Sequence, residues 1–263
     1  MNLVIGNTSQ LAQYFPEDYI RISSRNINLN EYVDVKYDSV YITFAEQRTY
    51  DTNISQDEFI NINVTYTSYI IDHFSRISDK VIIYGTAELW NKYDGSVNIT
   101  NKIDYKYSHY TRSKDILYSD LINNRTNGKW GNVYIIHPFN FNSIYRKEGF
   151  LFYKIFDSLV NKTKIQVGYL DINRDIIHPK YLVEKSINCK EDLLIGSGVV
   201  TNIKEFIQDL YRHYNLDYNE YVTEEYDAYS IHKGNVYYSD TITKYTDLLK
   251  DTIEEINIKY ERN

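Results

Sequence analysis

One cysteine, one methionine and three prolines are all that 263 residues contain of those types, and glycine appears only ten times. Cys189 has no second cysteine to pair with inside the chain, so no internal disulfide is expected and a reducing, cytoplasmic setting fits. No apolar run approaches the roughly 20 residues of a membrane helix, and no charged-then-apolar leader precedes the first strand, so no membrane association is expected. Basic residues are outnumbered 29 to 36, giving a formal charge of −7. A phosphate-backbone partner calls for a basic surface, so no nucleic acid is expected. The six histidines show no zinc-type spacing with the cysteine, and no metal is expected. Neither a Gly-x-Ser-x-Gly elbow nor a Walker Gly-Lys-Ser/Thr loop is present.

What is present suits an α/β protein of one large domain with a small annex. Hydrophobic residues make up 43% of the chain, enough for a substantial core. Asn2-Leu3-Val4-Ile5 is a short apolar run ending at Gly6, and Gln10 to Phe15 has helical character until Pro16 stops it. Strand, turn and helix in that order suggest a Rossmann opening. Tyr19 to Ser23 reads as a second strand, Ser39 to Phe44 as a third, and Ser24 to Asp38 between them shows no strong 3.6 periodicity. Asp57 to Phe74 carries an apolar helical face at Phe59, Ile60, Val64, Tyr66, Ile70, Ile71 and Phe74. Lys80 to Tyr84 reads as a buried strand, Asn91 to Lys106 as a polar loop, Tyr107 to Asn123 as a helix, and Gly131 to His137 as another strand. Asn202 to Tyr214 begins as a well-capped helix, and a last helix runs to about Tyr260.

The chemistry concentrates between Tyr84 and Lys114. Tyr110 and Lys114, four apart on a helix, stand on one face about one turn from each other. A phenol with a pKa of about 10 is too weakly acidic to serve as a base near neutrality, but a nearby cation favours the phenolate. Upstream, Thr86 and Glu88 follow the strand ending at Tyr84, at the carboxyl edge where open α/β sheets bind ligands.

Strand, Thr-x-Glu and Tyr-x-x-x-Lys, with Thr86 and Tyr110 24 residues apart, resemble the extended short-chain dehydrogenase/reductase family, the NAD-dependent epimerases and dehydratases of sugar nucleotides. Asn61-Ile62-Asn63-Val64 resembles that family's Asn-x-Asn-Val segment. Phe139, Asn140, Ser143, Arg146, Glu148, Phe150, Lys154 and Ile155 resemble GDP-mannose 4,6-dehydratases without a gap, as do Gly168, Leu170, Asp171, Arg174, Asp175, His178, Lys180 and Val183. Leu193 to Gly198 resembles the late strand and glycine turn, and Asp240 to Lys244 the closing Asp-x-x-Lys. The departures are Ser9 at the second place of Gly-x-x-Gly-x-x-Gly, Ala12 at the third, His137 before the Pro-Phe-Asn turn, and Tyr181 in place of an aspartate.

The resemblance implies a doubly wound parallel sheet. The dinucleotide-binding part would be 1–140 with returning segments near 164–178 and 190–215, and the rest of 141–263 a small substrate-binding part. It implies Thr86, Glu88, Tyr110 and Lys114 as catalytic residues. Gly6, Thr8, Ser9, Gln10, Leu11, Arg25, Ala45, Tyr110, Lys114 and Pro138 would face the cofactor, and Thr86, Asn140, Arg146 and Arg174 the sugar nucleotide. A homodimer is also implied. The reaction implied is 4,6-dehydration, with 4-epimerase, decarboxylase or 4-keto reductase as alternatives on the same scaffold, and a non-catalytic dinucleotide sensor as another.

No acid occupies Ser23, Ser24 or Arg25 after the second strand, where an acid would bond a ribose 2′-hydroxyl and an arginine a 2′-phosphate. NADP is therefore expected over NAD. Arg25→Ala should narrow that preference by roughly ten- to a hundredfold, as titration of both dinucleotides will show. Equal or tighter NAD binding by the wild type would contradict the assignment.

Overall fold

The computed structural model describes residues 1–225, 236–240 and 245–260. Its strands in chain order are β1 (Asn2–Ile5), β2 (Ile20–Ile22), β3 (Ser39–Ile42), β4 (Val81–Tyr84), β5 (Gly95–Val97), β6 (Val133–Pro138), β7 (Asn140–Phe141), β8 (Ile165–Val167), β9 (Asn173–Ile177), β10 (Leu193–Ile195), β11 (Val200–Asn202), β12 (Val222–Glu224) and β13 (Tyr237–Ser239). Six of them form one parallel sheet in the order β2-β1-β3-β4-β6-β10. Every residue of β3 and β4 is buried, as central parallel strands covered on both faces require. The fold is α/β with a Rossmann-like doubly wound sheet and small additional sheets.

That order sets β1 between β2 and β3, so the chain reverses direction there, and the crevice at such a switch point is where open sheets bind ligands. Only one strand lies beyond β1, whereas the dinucleotide order 3-2-1-4-5-6 has two. Between β2 and β3 there is a single 3-10 turn, Leu29–Tyr32, in line with the missing helical periodicity of that segment. The helix expected over Gln10 to Phe15 is likewise a 3-10 turn, Leu11–Tyr14. Pro16 ends it, and the Arg21 guanidinium bonds the carbonyls of Ala12 at 3.1 Å and Phe15 at 2.6 Å, closing the turn in place of further helix.

The helices are α1 (Gln56–Ile60), which continues through a π segment (Asn61–Tyr66) into α2 (Thr67–Ile77), then α3 (His109–Thr126), α4 (Leu151–Asn161), α5 (Pro179–Ile187), α6 (Ile203–His213), α7 (Tyr218–Tyr221) and α8 (Tyr245–Tyr260). Ser55 caps α1 by accepting from Glu58 N at 3.2 Å, with Asp57 and Glu58 favourably placed in its first turn. Asn202 caps α6 in the same way. Val64, Ile70, Ile71 and Phe74 meet Leu117 and Leu121 of α3 and the strands β1, β3, β4 and β6 in one core. A second core gathers Ile155, Phe156 and Leu159 of α4 with Phe206, Ile207 and Leu210 of α6.

These cores belong to two units, the first Met1–Asn91, Ile99–Pro138 and Leu182–Ile195, the second Lys92–Asn98, Phe139–Tyr181 and Gly196–Asn263. The segment 164–178, expected to return to the first part, falls in the second because β8 pairs with β12 and β9 with β7 and β11. Of 190–215 only the stretch through β10 joins the first unit, by pairing with β6. The polar loop 91–106 contains β5, which pairs with β13, Gly95 opposite Tyr237, and so could not be read locally. Of the Asp240 to Lys244 segment, residues 241–244 lie outside the described residues.

Arg125, in the last turn of α3, grips Asp192 with two parallel bonds of 2.6 and 2.7 Å, and Asp192 also accepts from Ile135 N at 3.0 Å. The pair ties helix, β6 and the approach to β10 together. Asp192→Ala removes the carboxylate from Arg125, which keeps the Val133 carbonyl, and from the Ile135 amide, and should cost about 2 kcal/mol, since the site is partly rather than fully buried. Urea unfolding should show an earlier midpoint at unchanged m-value; an unchanged midpoint would mean the pair contributes nothing.

Candidate functional site

The site grows from the start of α3. The Ser108 hydroxyl accepts from Thr111 N at 3.0 Å while Thr111 Oγ1 accepts from Ser108 N at 2.9 Å, a reciprocal cap that fixes where the helix begins. Tyr110 is thereby set as its second residue. The inward stripe reads Lys114, Leu117, Leu121 at helical spacing, so a lysine occupies a position where packing alone would favour another leucine. Lys114 is 3% exposed, and its Nζ donates to the Tyr84 carbonyl at 2.8 Å. Burial pushes its pKa down to about 8. The same Nζ lies 5.9 Å from the centre of the half-buried Tyr110 ring. Residues four apart on α3 are thus brought to one side, the ammonium lying near the Tyr110 ring.

Thr86 stands two residues past Tyr84, so the carbonyl that holds Lys114 belongs to the strand that delivers Thr86. Its hydroxyl accepts from Glu88 N at 3.2 Å, which leaves the hydroxyl proton available for donation. The extended geometry that would carry Glu88 to the same side as Thr86 stops at Thr86, because Ala87–Trp90 winds into a 3-10 turn. Glu88 is half-buried there, and its carboxylate accepts from Asn91 Nδ2 at 3.3 Å.

Two buried polar residues support this cluster. Asn63, on the π segment, bonds both Glu46 N (2.8 Å) and Glu46 O (2.9 Å) and donates to Ser113 Oγ at 3.0 Å, which in turn donates to Tyr110 O at 2.8 Å. The loop after β3 is thus coupled to the helix bearing Tyr110. His137, wholly buried on β6, accepts from Thr86 N through Nδ1 at 3.2 Å. Sequence reasoning marked Asn63 only as part of a matching segment and His137 only as a departure. The available signal was polarity, an amide on an apolar helical face and an imidazole inside a buried strand.

At the β1 end, Gly6 takes φ +105°, and a Cβ there would meet Phe44 N and Thr43 Oγ1 at 3.0 Å. Ser9 Oγ donates to Thr43 Oγ1 at 2.7 Å and accepts from Ala12 N at 3.2 Å, so the serine in the glycine pattern braces the turn against the end of β3. Gln10 is 8% exposed, and its Oε1 has no partner among the described residues. Thr8 is exposed, Leu11 buried and Ala45 half-buried beside this turn in sequence or across β1 and β3. Arg25 is exposed just past β2, and Pro138 ends β6. A glycine turn at positive φ and an unpaired buried acceptor at a switch point fit a dinucleotide, although the helix that would meet its pyrophosphate is a single turn.

Asn140, Arg146 and Arg174 belong to the second unit. Asn140 is exposed at the start of β7, the Arg146 guanidinium lies 4.2 Å over the Phe150 ring, and Arg174 donates to Asn173 O at 2.8 Å. Among the described residues no cluster of acids, histidines or cysteines could hold a metal ion, and no helix is long and apolar enough to cross a membrane.

No family model matches the chain, and no curated protein matches it in sequence. Solved structures match it over nearly its whole length. That of DesIV, a dTDP-glucose 4,6-dehydratase from Streptomyces venezuelae with NAD bound, is 15% identical at a TM-score of 0.78, covering 100% of this chain and 98% of its own. MoeE5 in complex with UDP-glucose and NAD is 13% identical at 0.76, covering 98% and 99%. RMD from Pseudomonas aeruginosa complexed with NADPH is 11% identical at 0.73, covering 97% and 99%. The chain therefore has the fold of the extended short-chain dehydrogenases/reductases.

The buried lysine has a measurable signature. Its folded pKa, about 8, lies below the ordinary lysine value of 10.5, so the unfolded state binds more protons between those values and stability should rise with pH across that window. Lys114→Met removes the linkage. Its stability relative to wild type should be greatest below pH 8 and decline by roughly 3 kcal/mol toward pH 10.5, as paired denaturant titrations will show. A pH-independent difference would mean that Lys114 is not desolvated.

Proposed function

We propose that the chain is a nucleotide-sugar-modifying enzyme using NADP, with NAD as the lesser alternative, and that its reaction is 4,6-dehydration. The observation that carries this reading is Lys114, buried on the Tyr84 carbonyl with its ammonium 5.9 Å from the Tyr110 ring. A desolvated cation beside a phenol has little structural use and a clear chemical one. When bound, the nicotinamide would supply the hydride acceptor and donor.

The chain's own residues would manage position and protons. Tyr110 as phenolate takes the sugar O4 proton, and Lys114 favours that phenolate while reaching the nicotinamide ribose. Thr86, whose hydroxyl proton is free to donate, bonds O4. Glu88 removes the C5 proton, made acidic beside a C4 ketone, so that water leaves from C6. Gly6, Thr8, Ser9, Gln10, Leu11, Ala45 and Pro138 would line the dinucleotide and Arg25 its 2′-phosphate. Asn140, Arg146 and Arg174 would take the nucleotide sugar. The two motif stretches from Phe139 to Ile155 and Gly168 to Val183 support a substrate like that of the GDP-mannose 4,6-dehydratases. A cytoplasmic homodimer through α2 and α3 completes the proposal, supported by Tyr69 and Ile122 exposed on those helices.

One observation favours a second reading. Glu88 leaves the extended path and bonds Asn91, which suits an epimerase or reductase that needs no second carboxylate. Two variants separate the readings. Tyr110→Phe should lower turnover by about 10²–10⁴-fold with dinucleotide binding nearly intact, and activity within a few-fold of wild type would remove Tyr110 from its role. Glu88→Gln should still oxidise C4, seen as reduced-nicotinamide absorbance, yet fail to exchange the C5 proton with deuterated solvent. Undiminished exchange or water loss would make the epimerase or reductase the better account.

A further inference from the structure

Behind Thr86 the sheet does something unusual. Gly85 N continues the ladder by donating to Ile136 O at 2.8 Å, but the next amide, Thr86 N, donates to an imidazole, His137 Nδ1, at 3.2 Å. The ring fills the space that a side chain on Gly85 would need, since a Cβ there would overlap Nδ1 and Cε1. Trp90 and Tyr118 meet the ring edge-on, with centroids at 5.1 and 4.9 Å, and hold its plane. His137 is wholly buried, so the neutral tautomer compatible with the Thr86 bond carries the proton on Nε2, an atom with no hydrogen-bond partner among the described residues. Burial also pushes its pKa down to about 4, so the ring stays neutral across the working range.

We infer that His137 is a positioning residue: its Nδ1 fixes the Thr86 backbone amide, and Gly85 and His137 are a matched pair that sets where the Thr86 hydroxyl points. The inference rests on the proposed role of Thr86 at the sugar. An apolar strand residue would fill the same volume but leave the Thr86 amide buried and unpaired, free to turn toward another acceptor.

The test uses two substitutions of similar polarity. His137→Asn places an amide oxygen where Nδ1 stood, whereas His137→Gln places one where Nε2 stood. With UDP-glucose, dTDP-glucose and GDP-mannose as probes, the Asn variant should keep a kcat close to wild type. The Gln variant should lose roughly ten- to a hundredfold in kcat with a smaller change in KM, because displacement of a reacting group is felt in the transition state. Both should melt at similar temperatures. Equal kcat in the two variants, or losses that follow melting temperature rather than acceptor position, would overturn the inference. If the wild type turns over none of the probes, the nucleotide-sugar reading fails, and nitrogen NMR decides the positioning claim on its own. An unprotonated Nδ1, with the Thr86 amide resonance moved by Gln and not by Asn, supports it; a protonated Nδ1 overturns it.

Discussion

A single ammonium on the sheet-facing side of α3 is the constraint that the first unit folds around. Desolvating a lysine works against folding, and Lys114 has one backbone carbonyl, that of Tyr84, as its compensation. A leucine in that stripe would pack better, so the position gives up stability for charge. Separate contacts hold the helix that carries it. The Ser108 and Thr111 cap sets the helical register, the Asn63 and Ser113 bonds hold the Tyr110 turn, and the Arg125 and Asp192 grip anchors the far end of the same helix. The strand that offers the Tyr84 carbonyl also presents Thr86.

The second unit has its own organising group. Asp175 is 1% exposed, and its carboxylate accepts from Ser197 N and Oγ at 2.6 Å, Gly198 N at 3.1 Å and Ser239 N at 2.9 Å. Burial raises its pKa despite these four donors. One side chain thus joins β9, the turn after β10 and β13, and Gly196 must lack a Cβ because the carboxylate occupies its place. Asp175 lies within the Arg-Asp pair of the matching motif, which explains structurally why an acid belongs there.

Legibility in the sequence followed the range of the interactions. The strands β1, β2, β3, β4 and β6 were visible as short local runs, and α1–α2 and α6 as periodic or capped segments, because neighbouring residues determine them; β10 was legible only through the resemblance of Leu193 to Gly198. The Tyr110 and Lys114 pair was visible for the same reason, since a helix brings residues four apart together. The path of Glu88 was not, because whether a strand continues past Thr86 or turns depends on how the Thr86 hydroxyl caps the next residues. The pairing of β5 with β13 and the assignment of 164–178 to the second unit rest on partners far away in the chain. That the described sheet ends at β2 had a trace in the weak periodicity of Ser24 to Asp38, but the sheet order needed the three-dimensional arrangement. His137 acts through one hydrogen bond to the Thr86 amide, and Asn63 through bonds to both backbone groups of Glu46 and to Ser113 Oγ; local polarity marks both residues, but their partners lie far away in the chain.

The central claim is that the Tyr110, Lys114 and Thr86 cluster performs chemistry on the sugar of a nucleotide sugar. Incubating the purified protein with a panel of nucleotide sugars and NADP, followed by mass spectrometry of the sugar products, tests it most directly. The account predicts loss of water from one member of the panel. Retention of bound dinucleotide with every nucleotide sugar recovered unchanged, in mass and in configuration, would contradict it.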